Sequence, residues 1–190
     1  MSTPHQSKKS DFDLTSVHPS VVDAYKAVKA WTKAALSTTA TPYWLTLYGT
    51  TGCGKTMLME RARTILKGSG KDAQLWPWVN VLRRLHNGEW ELVAHLAKLP
   101  YLLLDDIGAE YIASNRAADF SLSQLYEVLE NRKNRFTMLT SNLTPDDFAS
   151  TTTGCRIRSR LFRNNAQLCD LTKAADYCYT KYKNAGKETK

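Results

Sequence analysis

Gly49-Thr50-Thr51-Gly52-Cys53-Gly54-Lys55-Thr56 follows directly on the short apolar run Trp44-Leu45-Thr46-Leu47-Tyr48 and leads into a segment of helical periodicity from Lys55 to about Leu66. Glycines in this spacing let the backbone curl until several N–H groups point at one spot, and the helix that follows adds the positive end of its dipole there. Such a nest of donors suits phosphate oxygens. Apolar strand, glycine loop and helix stand in register, so the pattern is a complete P-loop. Lys55 is expected to reach the β- and γ-phosphates of ATP, and the Thr56 hydroxyl to ligate Mg²⁺.

The rest of the chain alternates strands and helices. A helix is predicted over 19–36 with Ser20 as its cap, then a linker over 37–42. The helix after the loop stops near Gly68-Ser69-Gly70, and a strand follows at Ala73–Leu75. Two short apolar stripes, Trp78-Val81-Leu82-Leu85 and Leu92-Val93-Leu96-Leu99, meet at the turn Asn87-Gly88. Tyr101–Asp105 is a continuous apolar strand ending in acid, and Leu122, Leu125, Tyr126 and Leu129 mark another helix. Arg135–Thr140 and Ala166–Leu171 complete the strands. This order predicts an α/β three-layer sandwich, a five-stranded parallel sheet with helices on both faces.

Composition narrows the setting. No apolar run approaches the roughly 20 residues that cross a bilayer, and the N-terminus is polar, so a cytoplasmic protein with no membrane role is expected. Cys53, Cys155, Cys169 and Cys178 lack CxxC spacing and read as reduced thiols. A formal net charge of +8 favours a polyanionic partner.

Three further motifs carry chemistry. In Leu102-Leu103-Leu104-Asp105-Asp106 an apolar strand delivers an acid toward the metal; Asp105 is the expected Mg²⁺ residue, through water, and Asp106 the candidate general base, with Glu110 near enough to compete. Thr140-Ser141-Asn142 ends the next strand, where Asn142 could orient water against the γ-phosphate. No Asn-Lys-x-Asp guanine reader occurs. Arg156-Ile157-Arg158-Ser159-Arg160-Leu161-Phe162-Arg163 puts Arg156, Arg160 and Arg163 on one predicted helix face, able to enter another subunit's site, to contact DNA, or to remain a solvated face.

Together these motifs resemble the AAA+ ATPases of the DnaC/DnaI/IstB helicase-loader group. The likeness rests on the apolar-Asp-Asp-Ile-Gly-Ala-Glu stretch at 102–110, on Thr140-Ser141-Asn142-Leu143 and on Arg156-x-x-x-Arg160, and spans roughly residues 10–180. It implies an AAA+ domain over 17–180 without a C-terminal lid, between a flexible arm at 1–16 and a basic tail at 181–190. By the same resemblance Asn142 is the sensor-1 residue and Arg160 the arginine finger, with Arg156 as its companion. ATP would lie between subunits of a homo-oligomer. The helical insertion at 78–98 would meet single- or double-stranded DNA through Arg83, Arg84, His86, His95 and Lys98, with Trp76, Trp78 or Trp90 as candidates to stack on bases, although the place of Trp78 on the apolar stripe points to core packing instead. Helicase loaders of this group carry a separate N-terminal domain that grips the helicase; ahead of the first strand this chain reads as an arm and one helix, the ATPase module alone. The expected function is an ATP-hydrolysing, DNA-associated factor of the helicase-loader or replication-initiation type, with a replicative helicase as partner. The alternatives are an IstB/TnsC-like regulator of transposition, with a transposase as partner, and a monomeric P-loop kinase whose arginine-rich segment closes in cis.

Overall fold

The computed structural model describes residues 17–108, 115–163 and 165–177, with only the backbone for 115–118. The predicted N-terminal arm, the basic tail, Glu110 and Cys178 lie outside these residues. The elements run α1 (Pro19–Leu36), β1 (Trp44–Gly49), α2 (Lys55–Gly68), β2 (Ala73–Pro77), α3 (Trp78–His86), α4 (Glu91–Lys98), β3 (Tyr101–Ile107), α5 (Asn115–Glu130), β4 (Phe136–Ser141), a 3-10 turn (Asp147–Ser150), α6 (Thr152–Leu161) and β5 (Gln167–Leu171).

The five strands are parallel in the order β2-β3-β4-β1-β5. Because both faces are covered, the central strands are buried along most of their length rather than alternating between buried and exposed. Leu102 and Leu104 join one core with α3, α4, α5 and α6, while Leu103 faces the other, built with α1 and α2 around Trp31, Leu58 and Met59. The P-loop strand β1 is flanked by β4 and β5, so its C-terminal end opens beside the ends of β3 and β4. Ligands in open parallel sheets bind in such a crevice. Among the described residues no helical lid follows β5.

Several boundaries differ from expectation for local reasons. His18 caps α1, its Nδ1 accepting the Ser20 N–H at 3.2 Å, and Pro19 fills the first helical position. Ser20 therefore lies inside the first turn instead of capping it. The end of α2 is where it was expected: the helix runs through Gly68, and Gly70 turns left-handed. α6 stops at Leu161, so Arg163 falls beyond the helix and off the face predicted to carry it.

Arg132, fully buried, ties the end of α4 to β4. Its guanidinium donates to the carbonyls of Leu96 (2.6 Å), Leu99 (2.8 Å) and Phe136 (2.9 Å) and to the Thr137 hydroxyl (2.9 Å). Burial without an acidic partner, aided by the nearby charge of Arg135, pulls its pKa down to about 9.

Candidate nucleotide site

The loop after β1 takes backbone angles that side chains resist. Gly52 has φ +79°, and a Cβ there would lie 2.2 Å from the Asp176 carboxyl carbon. Gly54, at φ +95°, is the left-handed residue that launches α2. The loop wraps its own lysine: Lys55 Nζ donates to the carbonyls of Gly49 and Thr50, both at 2.8 Å, and to Asn142 Oδ1 at 2.9 Å. The Thr56 hydroxyl donates to Asp105 at 3.0 and 3.1 Å.

A regular strand sends successive side chains to opposite faces, so Asp105 and Asp106 could not both serve one site from an undistorted β3. The ladder between β3 and β4 shifts register between Leu104 and Ile107, and Asp106 adopts φ +57°. This bulge turns both acids into the same cleft. Thr140 on β4 holds it, donating to Asp105 Oδ1 at 2.5 Å and accepting the Asp106 N–H at 2.8 Å. Asn142 completes the circuit by donating from Nδ2 to Asp106 Oδ1 at 2.7 Å. Its amide is oriented by chemistry: the ammonium of Lys55 requires the oxygen and the carboxylate of Asp106 requires the NH₂. Burial, and then the neighbouring charge of Asp105, push the Asp106 carboxyl above the usual carboxylate range, with Lys55 opposing.

These groups line one cleft of about 360 Å³, together with Thr51, Met57 and Tyr177. Tyr177 belongs to the segment after β5, which is fastened to the loop by Thr50 Oγ1 donating to Ala174 O (2.8 Å) and Tyr177 N donating to Gly52 O (3.1 Å). Neither Thr140 nor Tyr177 was assigned a role from sequence. Thr140 adjoins Asn142 in a motif that could have suggested it, whereas no local pattern points to Tyr177. Among the described residues no group of three or more His, Cys, Asp and Glu could hold a metal. A Mg²⁺ ion needs no such group, because it is ordinarily held by one or two carboxylates together with waters and phosphate oxygens. The facing Thr56 hydroxyl and Asp105 carboxylate fit that donor set.

No protein-family profile and no curated protein matches the sequence. Solved structures do. DnaI is 23% identical with a TM-score of 0.68, over 87% of this chain and 90% of that one. The DnaC helicase loader is 21% identical with a TM-score of 0.64, over 80% and 90%. The fold is that of the DnaC/DnaI-like AAA+ proteins. AMPPCP-bound DnaA from Aquifex aeolicus is 18% identical with a TM-score of 0.61 over 81% of this chain. The chain spans about half the length of the replication initiators it matches, 47% of that DnaA and 50% of a DNA replication initiation factor.

Within this AAA+ fold the arginines of α6 stand apart from the cleft of their own chain: none of them lines it. Arg160 pairs with Glu130 and donates from Nη2 to the Tyr126 hydroxyl at 3.0 Å. Arg156 is exposed, its guanidinium 5.9 Å from the centre of the Tyr126 ring, and Arg158 bonds Asp146 at 3.0 Å. In the helical insertion, Arg83 bonds Asn80 at 3.3 Å and Lys98 is exposed. Arg84 pairs with Glu89 and lies 5.2 Å from the centre of the Trp76 ring. Trp90 is 57% exposed. Trp78 is fully buried, its Nε1 donating to Ser121 Oγ at 2.9 Å, which removes it as a base-stacking surface. His86 and His95 sit against Leu82 O and Gln74 Oε1. No helix among the described residues is long and apolar enough to cross a membrane.

Proposed function

We propose that this chain binds and hydrolyses ATP as an AAA+ protein, assembling into a homo-oligomer on DNA and acting in helicase loading or replication initiation. The observation that carries this reading is the Asn142 bridge between Lys55 and Asp106, set on the Thr56–Asp105–Thr140 network. It joins the group that would meet the terminal phosphate to the group that would activate water.

In this scheme the triphosphate draws Lys55 Nζ away from the carbonyls of Gly49 and Thr50, an exchange of neutral acceptors for charged ones that strengthens each bond. Thr56 and Asp105 would hold Mg²⁺, which offsets charge on the phosphate oxygens when bound. Asp106 takes the proton of the attacking water, and its raised pKa makes its carboxylate a better base. Asn142 orients that water. Arg160, with Arg156 beside it, would come from a neighbouring copy to the charge developing on the γ-phosphate.

The association with DNA is supported by the net charge of +8 and by the cations on α3 and α4. Arg83 and Lys98 would contact backbone, with Trp90 available to a base and Arg84 reaching phosphate only by leaving Glu89. A structural neighbour is DnaA bound to AMPPCP and single-stranded DNA, and another is a helicase loader, which gives a replicative helicase as the proposed partner. ATP turnover per subunit, measured over a protein concentration series with and without single-stranded DNA, tests the proposal. It should climb with concentration and rise with DNA. A flat, DNA-indifferent rate would leave a self-contained P-loop enzyme and refute the assembly.

A further inference from the structure

Arg160 is held more firmly than a solvated arginine needs to be. Its Nε donates to Glu130 and its Nη2 to the Tyr126 hydroxyl, and its guanidinium carbon lies 5.1 Å from the centre of the Tyr126 ring. The side chain is 11% exposed. Among the described residues Nη1 makes no hydrogen bond. Glu130 is fixed in turn by Lys133 Nζ at 3.0 Å and approached by Arg163 at 3.8 Å. Its carboxyl is held below the usual range, first by the bond from Lys133 and then by that from Arg160. None of these residues lines the cleft of its own chain.

A free arginine loses its many rotamers when it meets a phosphate, and a planar guanidinium already anchored along one edge has less to lose. Anchoring Nε and one Nη leaves the Nη1 donors at a set orientation. Lys133 and Arg163 also approach this carboxylate, and Arg156 lies over the Tyr126 ring, so the cluster stays positive although Glu130 pairs with Arg160. We propose that Glu130 is the positioning residue for Arg160, presenting it, with Tyr126 as second anchor, as a pre-ordered donor to the terminal phosphate held by an adjacent copy of the chain. This rests on the reading that neighbouring copies share each nucleotide site.

The test mixes full-length variants. Asp106→Asn lacks the base but keeps an intact arginine, so it can donate Arg160 to a neighbour whose own cleft is whole. Mixed with Arg160→Ala it should recover turnover; no recovery refutes the shared site and this proposal with it. Glu130→Gln alone should lower kcat on the order of tenfold with KM for ATP within about twofold, and mixing with Asp106→Asn should restore it. A role of Glu130 confined to folding of its own subunit would not be restored by mixing. If Arg160→Ala is rescued while Glu130→Gln turns over at the wild-type rate or faster, the positioning role is refuted and the shared site stands. Should Glu130→Gln fail to fold, Tyr126→Phe keeps the ring and drops one anchor. Its kcat should fall about threefold, and an unchanged kcat overturns the proposal.

Discussion

Thr140→Val and Thr46→Val remove the same hydroxyl from paired strands, yet they should move stability in opposite directions. Thr140 on β4 donates to the Asp105 carboxylate and accepts the Asp106 N–H, and it is 1% exposed. Thr46 on β1 is equally buried, but its hydroxyl finds no hydrogen-bond partner among the described residues. At Thr140 a bond to a charged group, about 2 kcal/mol, is lost. The Asp106 N–H is also left without its acceptor, which costs about 1–2 kcal/mol more. Asp105 keeps its bonds from Thr56, so it is not orphaned. The net loss should be about 3 kcal/mol, or a fall in Tm of about 10 °C for a chain of this length. At Thr46 valine removes an unsatisfied buried hydroxyl and should stabilise by about 1 kcal/mol. Urea unfolding followed by tryptophan fluorescence measures both. Relaxation of the bulge in Thr140→Val should also move Asp106, lowering kcat about a hundredfold if it shifts by ~1 Å. The P-loop is untouched, so KM for ATP should change little. A Thr140→Val cost below about 1 kcal/mol, or a Thr46→Val cost equal to it, would refute the network as the support of the acid pair.

Lys55→Ala should abolish ATP binding, read with a fluorescent nucleotide; tight binding would remove the P-loop assignment. Asp106→Asn should bind ATP but lose hydrolysis by a factor of about 100 or more. If Asp106 is the base proposed above, the acid limb of kcat in the parent protein should lie above the ordinary carboxylate range, because its pKa is raised. For stability the sign is opposite: a carboxyl whose pKa is higher folded than unfolded costs stability once ionised. Asp106→Asn should therefore raise Tm at neutral pH, and the gain should vanish below the unfolded pKa of about 3.9. Arg132→Met removes the bonds to the carbonyls of Leu96, Ala97, Leu99 and Phe136 and to the Thr137 hydroxyl. Relief of the buried charge offsets part of that loss, leaving about 3 kcal/mol by calorimetry. A change under 1 kcal/mol would mean that desolvation of the guanidinium already cancels its hydrogen bonds.

The glycine loop, the apolar strand before it and the acid-tipped strand at 101–105 were legible because each is written in adjacent residues whose backbone demands are local. The parallel sheet followed from the strand–helix alternation, since continuous apolar strands require cover on both faces. The other half of the site was not readable in this way. Alternation predicts that Asp105 and Asp106 diverge; the bulge that turns them together depends on β4 lying beside β3 and supplying Thr140. Lys55 meets Asn142 across 87 residues of chain, and Thr50 meets Ala174 across 124. Helical periodicity put Arg156, Arg160 and Arg163 on one face, but α6 ends before Arg163, and Arg160 turns to Glu130 on α5. The sequence by itself determined the chemistry on offer, because a loop's φ angles and a strand's apolar face are properties of neighbouring residues. Which of those groups touch was decided by the tertiary structure, because a hydrogen bond depends on distances of a few ångströms that the packing of strands and helices sets and residue spacing does not encode.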